Sequence, residues 1–247
     1  MATYKKAFLI YLSIMCLGCT ATRVSSKPTA LPTESFVKII HTMKVESCKN
    51  KKDPRCPIGE YSSLGSGMAV NVFSNTMTVL TAGHVCDSQP TEKIDKVTQL
   101  VYVVDHKETK HQAWPVLTSF YNQVGSGDLC LLWVPSLKVK KVSFAKSGPK
   151  IGDELYYIGA PLGIHHPPTV PIFKGIYSGP VDASSGLVTF PAAGGSSGSA
   201  VINKDGKIVG VVFAANPNFH HVSLISSFSS LKIFLSKAKK ELSKNKN

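Results

Sequence analysis

From Phe36 onward the chain is a series of short apolar runs, rich in β-branched and aromatic residues and broken by Gly, Pro, Asn, Asp and Ser. In the first half these runs are Phe36 to Val45, Gly67 to Phe73, Met77 to Thr81, Leu100 to Val104 and Leu129 to Val134. The second half continues with Glu154 to Ile158, Val170 to Tyr177, Gly186 to Phe190, Ala200 to Ile202, Ile208 to Phe213 and Val222 to Ile225. Runs of this length and spacing predict the strands of an all-β barrel or sandwich. Lys204-Asp205-Gly206-Lys207, between two of the runs, predicts a hairpin turn. After Ser226 the apolar period lengthens, and Phe228, Leu231, Ile233, Phe234, Leu235 and Ala238 predict one amphipathic helix at the end of the chain.

The N-terminal region has a different character. Lys5 and Lys6 precede an apolar stretch, Ala7 to Leu17, that is too short for an ordinary spanning helix, so residues 1–18 are expected to be an export signal. Cys16-Leu17-Gly18-Cys19 resembles the bacterial lipoprotein box, with Cys16 where that box usually has leucine. Two fates stay open: lipid attachment at Cys19, which would anchor the chain to a membrane, or plain secretion with cleavage near Ala21 or a retained anchor. Residues 19–35, rich in Thr, Ser, Pro and Ala, are expected to be a flexible tether, followed by one catalytic domain over 36–247.

The chain has 247 residues, 43% of them hydrophobic, enough for a substantial core. Its formal net charge of +13 falls to about +11 if Lys5 and Lys6 leave with the signal. The clearest basic run is Lys237, Lys239, Lys240, Lys244 and Lys246. No aromatic interleaving or nucleic-acid motif accompanies that charge, so a solvated helix end is the favoured reading and no nucleic-acid partner is expected. Export would permit disulfides. With Cys16 removed and Cys19 set aside, Cys48, Cys56, Cys86 and Cys130 allow three pairings. One of them staples Cys48 to Cys56 and leaves Cys86 with Cys130, bracing the segments after His84 and Asp128; four free thiols are the alternative.

Three segments carry the candidate chemistry. In Gly194-Gly195-Ser196-Ser197-Gly198-Ser199-Ala200, Ser197 has glycine two places before and one after, a frame with little bulk around the hydroxyl. The amides of Gly195 and Ser197 can there face one point, as an oxyanion hole requires. His84 follows Thr81-Ala82-Gly83 at the end of an apolar run, and imidazole is the side chain suited to move a proton near neutral pH. Asp128 opens the apolar run Leu129 to Val134, where a buried acid needs a partner such as the His84 ring. Asp105 is the fallback acid, with His106 and Lys107 suggesting an exposed turn. Together His84, Asp128 and Ser197 form the set needed for acyl transfer without metal or cofactor.

These segments, taken in order, resemble trypsin-like serine proteases of the chymotrypsin fold, and are most similar to the bacterial HtrA-type and glutamyl-endopeptidase-like branches. The resemblance also rests on Gly65-Ser66-Gly67, on Lys150-Ile151-Gly152-Asp153 leading to Ile158-Gly159-Ala160-Pro161, on Gly175 to Gly179 and on Gly206 to Val211. It implies two six-stranded antiparallel barrels, about 36–140 and 141–225, with the cleft between them. It further implies that Pro191 and Ala192 approach the base of the primary specificity pocket, Phe213, Ala214 and Ala215 its wall, and His220 or His221 its far side. No acid falls at that base, so small or apolar substrate side chains are the default expectation, with an acidic one as the alternative if a pocket histidine is protonated. Ser196 stands where digestive members carry an aspartate, Ser199 and Ala200 replace the usual glycine and proline, and Phe213 falls where many members have a serine supporting the acid.

The expected function is an exported serine endopeptidase acting on protein or peptide substrates. The competing classes are a catalytically inactive protease-fold binding module at the cell envelope, and an ester hydrolase. The order His, Asp, Ser and the strand-rich pattern argue against an α/β-hydrolase.

Overall fold

The computed structural model describes residues 30–50, 54–73, 75–87, 93–120, 127–216 and 218–244. The expected leader, Cys19, the tether up to residue 29 and Lys246 lie outside the described residues.

Twelve strands close into two antiparallel barrels. The first consists of β1 (Phe36–Cys48), β2 (Gly59–Val70), β3 (Thr78–Thr81), β4 (Ile94–Val104), β5 (Lys110–Ser119) and β6 (Leu129–Trp133), hydrogen-bonded in the order β1-β2-β3-β6-β5-β4. The second contains β7 (Glu154–Ile158), β8 (Ile172–Pro180), β9 (Ser185–Val188), β10 (Ala200–Asn203), β11 (Ile208–Asn216) and β12 (Phe219–Ser226), in the order β10-β11-β12-β9-β8-β7. Closure removes the exposed strand edges that an open sheet of this length would present. A one-turn helix, α1 (Gly83–Cys86), follows β3, and a long helix, α2 (Phe228–Lys244), follows β12.

Each barrel has its own apolar interior. Phe36, Ile39, Met68, Leu80, Leu129 and Leu131 are fully buried in the first. In the second, Tyr157 is clasped between Phe173 and Phe190, with ring centroids 4.6 and 4.7 Å away. The expected turn is present between β10 and β11: the Asn203 side-chain oxygen accepts from the amides of Asp205 and Lys207, and Gly206 takes the left-handed φ of +71°.

One strand has no counterpart among the predicted runs. β5 places His111 and Ala113 inward and Gln112 and Trp114 outward, so its alternation is not apolar against polar. It also contains Pro115, accommodated at a register shift against β6. Helix α2 forms as expected, capped by the Ser227 hydroxyl, which accepts from the Ser230 amide at 3.1 Å. Leu231, Phe234, Leu235, Ala238 and Leu242 make its buried face, whereas Ile233 projects to the opposite side and is exposed. This face packs on β5, β6 and β11, so the element that follows the second barrel is fastened to the first. Among the described residues, no helix is long and apolar enough to cross a membrane.

Of the three cysteine pairings, the structure contains Cys48 with Cys56 and Cys86 with Cys130. The second bond joins the end of α1 to β6, two residues beyond His84 on one side and two beyond Asp128 on the other. With 44 residues between its ends it removes about 4 kcal/mol of unfolded-chain entropy on the loop-closure model.

Candidate active site

Gly83 opens α1 and has to be glycine, because a Cβ there would meet the Ser119 carbonyl and stand 2.5 Å from Asp128 Oδ1. That close approach lets the acid hold the histidine twice. The His84 backbone N–H donates to Asp128 Oδ1 at 3.0 Å, and the Nδ1–H donates to Oδ2 in a short hydrogen bond. Asp128 is buried at the mouth of β6, where an unpaired carboxylate would be very costly, and both its oxygens are satisfied. The imidazole side chain is 45% exposed, and with Nδ1 committed to Asp128 its Nε2 is left to meet a substrate or nucleophile.

The turn that carries Ser197, the candidate nucleophile, lies between β9 and β10. It is folded on itself by the Ser196 amide donating to the Ala193 carbonyl at 2.9 Å, and by the Ser196 hydroxyl accepting from the Ala193 amide at 3.2 Å. Gly195 and Gly198 take φ of +91° and +87°, values that L side chains rarely adopt. The turn is then pinned to the first barrel: Ser66 N–H donates to the Ser197 carbonyl at 2.8 Å, and Gly198 lies so close to the Ser66 carbonyl and the Thr81 hydroxyl that a Cβ would not fit. Ser197 is thereby held beside the turn that carries His84. Among the described residues its hydroxyl has no hydrogen-bond partner, consistent with a nucleophile whose bond to the base tightens when substrate binds. The amides of Gly195 and Ser197 likewise donate to no described group.

Beside Ser197 a cleft of about 550 Å³ runs between Ala192 to Gly194 on one side and Val212 to Asn216 on the other. Among the described residues its walls carry no charged side chain. Of the residues expected to contact substrate, Ala192, Phe213, Ala214 and Ala215 line this cleft. Pro191 lies beneath it, its carbonyl accepting from the Tyr157 hydroxyl at 2.7 Å. His221 is exposed on β12 with its ring edge-on to Phe219 at 5.6 Å and is outside the cleft lining; the His220 side chain lies outside the described residues. A wider cleft of about 650 Å³ on the second barrel, between Lys150 and Lys174, contains none of the candidate catalytic residues.

Three supports were not singled out from sequence for any role at the site. Tyr157 and Ser223 hold the floor of the cleft through the carbonyls of Pro191 and Phe190. Burial pushes the Tyr157 phenol up to about 12, against the opposing effect of the Ser196 hydroxyl, so it remains a donor. Ser66, the middle of Gly65-Ser66-Gly67, is fully buried and touches the nucleophile turn directly. The small triplet just before the apolar end of β2, Met68 to Val70, was the available signal. The fallback acid Asp105 is corrected in one respect: it is buried rather than in an exposed turn, because its carboxylate is engaged by the amides of Lys107 and Thr109 and by His111. Among the described residues, no group of three or more His, Cys, Asp or Glu is arranged to hold a metal ion.

Comparison with known proteins places these features in a family. The profile of the trypsin-like peptidase domain matches residues 65–211, a span that contains His84, Asp128 and Ser197. The protein named serine protease HtrA-like from Staphylococcus aureus (strain USA300) is 25% identical over 207 residues, covering 76% of this chain and 25% of the relative. The chain thus spans about a quarter of the length of the curated relatives it matches. Among solved structures, the active form of the Rv3671c protease from M. tuberculosis superposes with a TM-score of 0.59 at 21% identity, covering 83% of this chain and 82% of that one. The serine endoprotease from Yersinia pestis gives 0.59 at 17% identity, covering 85% and 64%. At these identities the two structures speak for a shared fold. The domain match covers more than half of the sequence, and the chain belongs to the trypsin-like peptidase domain family.

Proposed function

We propose that the chain is an exported serine endopeptidase that hydrolyses peptide bonds through an acyl-enzyme on Ser197. The observation that carries this reading is the double hydrogen bond from His84 to the buried Asp128, next to the Ser197 turn, whose Gly195 and Ser197 amides donate to no described group. Ser197 Oγ attacks the scissile carbonyl while His84 Nε2 takes its proton, and Asp128 holds the Nδ1–H and stabilises the imidazolium that forms. The Gly195 and Ser197 amides receive the negative charge developing on the carbonyl oxygen. Collapse of the tetrahedral species breaks the C–N bond, and His84 returns its proton to the departing amine. Water, deprotonated by His84, then attacks the acyl-enzyme and releases the acid, restoring Ser197.

The uncharged, alanine-lined cleft favours small or apolar side chains at the substrate residue that precedes the cleaved bond. Export is supported by Lys5, Lys6 and the apolar stretch after them, together with two disulfides characteristic of an oxidising compartment. This reading leaves lipid attachment at Cys19 and plain secretion with cleavage near Ala21 or a retained anchor as alternatives, which mass analysis of the mature N-terminus distinguishes.

The deciding experiment is labelling of the purified protein with a fluorophosphonate, with peptide hydrolysis measured in parallel. Both are expected for the wild type and neither for Ser197→Ala. Labelling that survives Ser197→Ala would assign the nucleophile to another residue, and a wild type that neither labels nor cleaves would replace this reading by that of a binding module.

A further inference from the structure

Ser66 makes four hydrogen bonds to three separate segments, and two of them act on the backbone around the oxyanion hole. Its N–H donates to the Ser197 carbonyl at 2.8 Å, and its own carbonyl accepts from the Thr81 hydroxyl at 2.8 Å. Its hydroxyl donates to the Gly195 carbonyl at 2.7 Å and accepts from the Ala160 amide at 2.9 Å. Ala160 leads into the turn Pro161–Gly163, whose Leu162 amide donates to the Gly194 carbonyl at 2.6 Å. The carbonyls before and after Gly195 are therefore both held. In a trans peptide the C=O and N–H point in opposite directions. Drawing the Gly194 carbonyl onto Leu162 turns the Gly195 N–H away from that turn, and it meets no other acceptor among the described residues.

The arrangement is maintained against local preference. Leu162 takes φ of +54°, unfavourable for a leucine, while its side chain is 75% exposed and gains little from packing. What that conformation achieves is the direction of its N–H. Gly195, for its part, has no room for a Cβ, which would stand 2.5 Å from the Ala160 carbonyl. The buried centre of the turn, Ser196, is neutral, and among the described residues its hydroxyl meets the Ala193 amide and the Tyr157 hydroxyl. No charge in the turn orients the Gly195 peptide.

We propose that Ser66, together with the Leu162 amide, is the positioning device that keeps the Gly195 N–H turned into the oxyanion hole. The inference rests on the peptidase reading above and adds to it the residue that makes the hole permanent. Ser66 touches no reacting atom; it acts through the Gly195 peptide.

The test uses the full chain and the variants Ser66→Ala and Gly163→Ala. The second lies at φ +76° in the turn that carries Leu162, where alanine is disfavoured. Three readings are taken: kcat and KM on a peptide substrate, affinity for a peptide boronic acid whose tetrahedral adduct occupies the oxyanion hole, and the crystal structure of each variant. Ser66→Ala is expected to lower kcat on the order of a hundredfold, with KM within about twofold, a parallel fall in boronate affinity, and the Gly195 N–H rotated out of the hole. Gly163→Ala should do the same to a smaller extent, and it decides the matter if Ser66→Ala does not fold. Unchanged kcat, a change confined to KM, or an unmoved Gly195 peptide in the variant crystals would overturn the proposal. If the wild type cleaves no peptide, the peptidase reading fails by itself, and the crystallographic comparison still decides whether Ser66 sets the Gly195 peptide.

Discussion

The first barrel contains two histidine–aspartate pairs, His84 with Asp128 and His111 with Asp105, and the second pair has the more complete chain of hydrogen bonds. His111 Nδ1 meets the Ser136 hydroxyl at 3.0 Å and Nε2 meets Asp105 Oδ2 at 3.2 Å, so serine, histidine and aspartate are directly linked. Yet both ring nitrogens are engaged inside the barrel wall, where the His111 side chain is 9% exposed. The remaining Asp105 oxygen accepts from the amides of Lys107 and Thr109 and closes the turn between β4 and β5. His84 is instead held on one side only, half-exposed, beside the Ser197 turn, where two amides donate to no described group. Connectivity among the three residue types therefore does not make a catalytic site. What distinguishes the two pairs is an exposed imidazole with one ring nitrogen uncommitted, beside a turn whose amides can receive the negative charge of the proposed reaction.

The largest expected effect separates the two serines. Ser197→Ala should reduce kcat on the order of a millionfold, whereas Ser136→Ala should leave peptide hydrolysis within about twofold of wild type; equal losses in a steady-state assay would abolish the distinction. The acids come next. Asp128→Asn is expected to lower kcat about ten-thousandfold by presenting the wrong histidine tautomer, and Asp105→Asn should leave kcat intact.

A smaller effect, on stability, should show the opposite bias. Removing the Asp105 carboxylate leaves three donors without their acceptor and is expected to cost about 2 kcal/mol in urea unfolding at neutral pH. Burial opposes ionisation of Asp105, but hydrogen bonds from the Lys107 amide, His111 and the Thr109 amide outweigh it and hold the carboxyl below its ordinary value of 3.8. The fold thus binds that proton less readily than the unfolded chain does. The stabilisation is present above pH 3.8 and is lost as pH falls through the folded value, so wild type and Asp105→Ala should converge in acid.

The smallest effect is expected beneath the cleft in the second barrel, at Tyr157→Phe, which loses the hydrogen bond to Pro191 and the longer contact with the Ser196 hydroxyl, about 1 kcal/mol. With its phenol pushed up from 10.0 to about 12, the native state favours the protonated form. Its stabilisation is full below pH 10 and declines between 10 and 12, a decline that alkaline unfolding of the phenylalanine variant should lack.

The strands that were legible in the sequence are those whose inward positions are aliphatic or aromatic, such as Val101 and Val103 on β4 or Leu155 and Tyr157 on β7. β5 was hidden because its inward residues are His111 and Ala113, and because a proline interrupts it at a bulge. At the site, Ser197, Gly195 and His84 stood out through the glycines around them, which are needed where backbones approach closely. Asp105 looked exposed because it neighbours His106 and Lys107 in sequence, whereas its burial depends on amides and a histidine that only the folded turn brings to it. Ser66 and Tyr157 carried no readable role, since their partners are 129 and 34 residues away.

By itself the sequence determined that this is a strand-rich chain ending in an amphipathic helix, with a glycine-framed serine, a histidine after a strand and an acid before one. Those are consequences of side-chain periodicity and of local steric freedom, which act over a few residues. The tertiary structure alone decided which of two histidines keeps a free nitrogen, which cysteines meet, and which carbonyls turn the Gly195 amide. The histidines and cysteines meet their partners within the first barrel, and the Gly195 amide is set by segments of both barrels; each depends on the folded chain bringing groups within hydrogen-bond or van der Waals distance, and short-range pattern carries no information about such meetings.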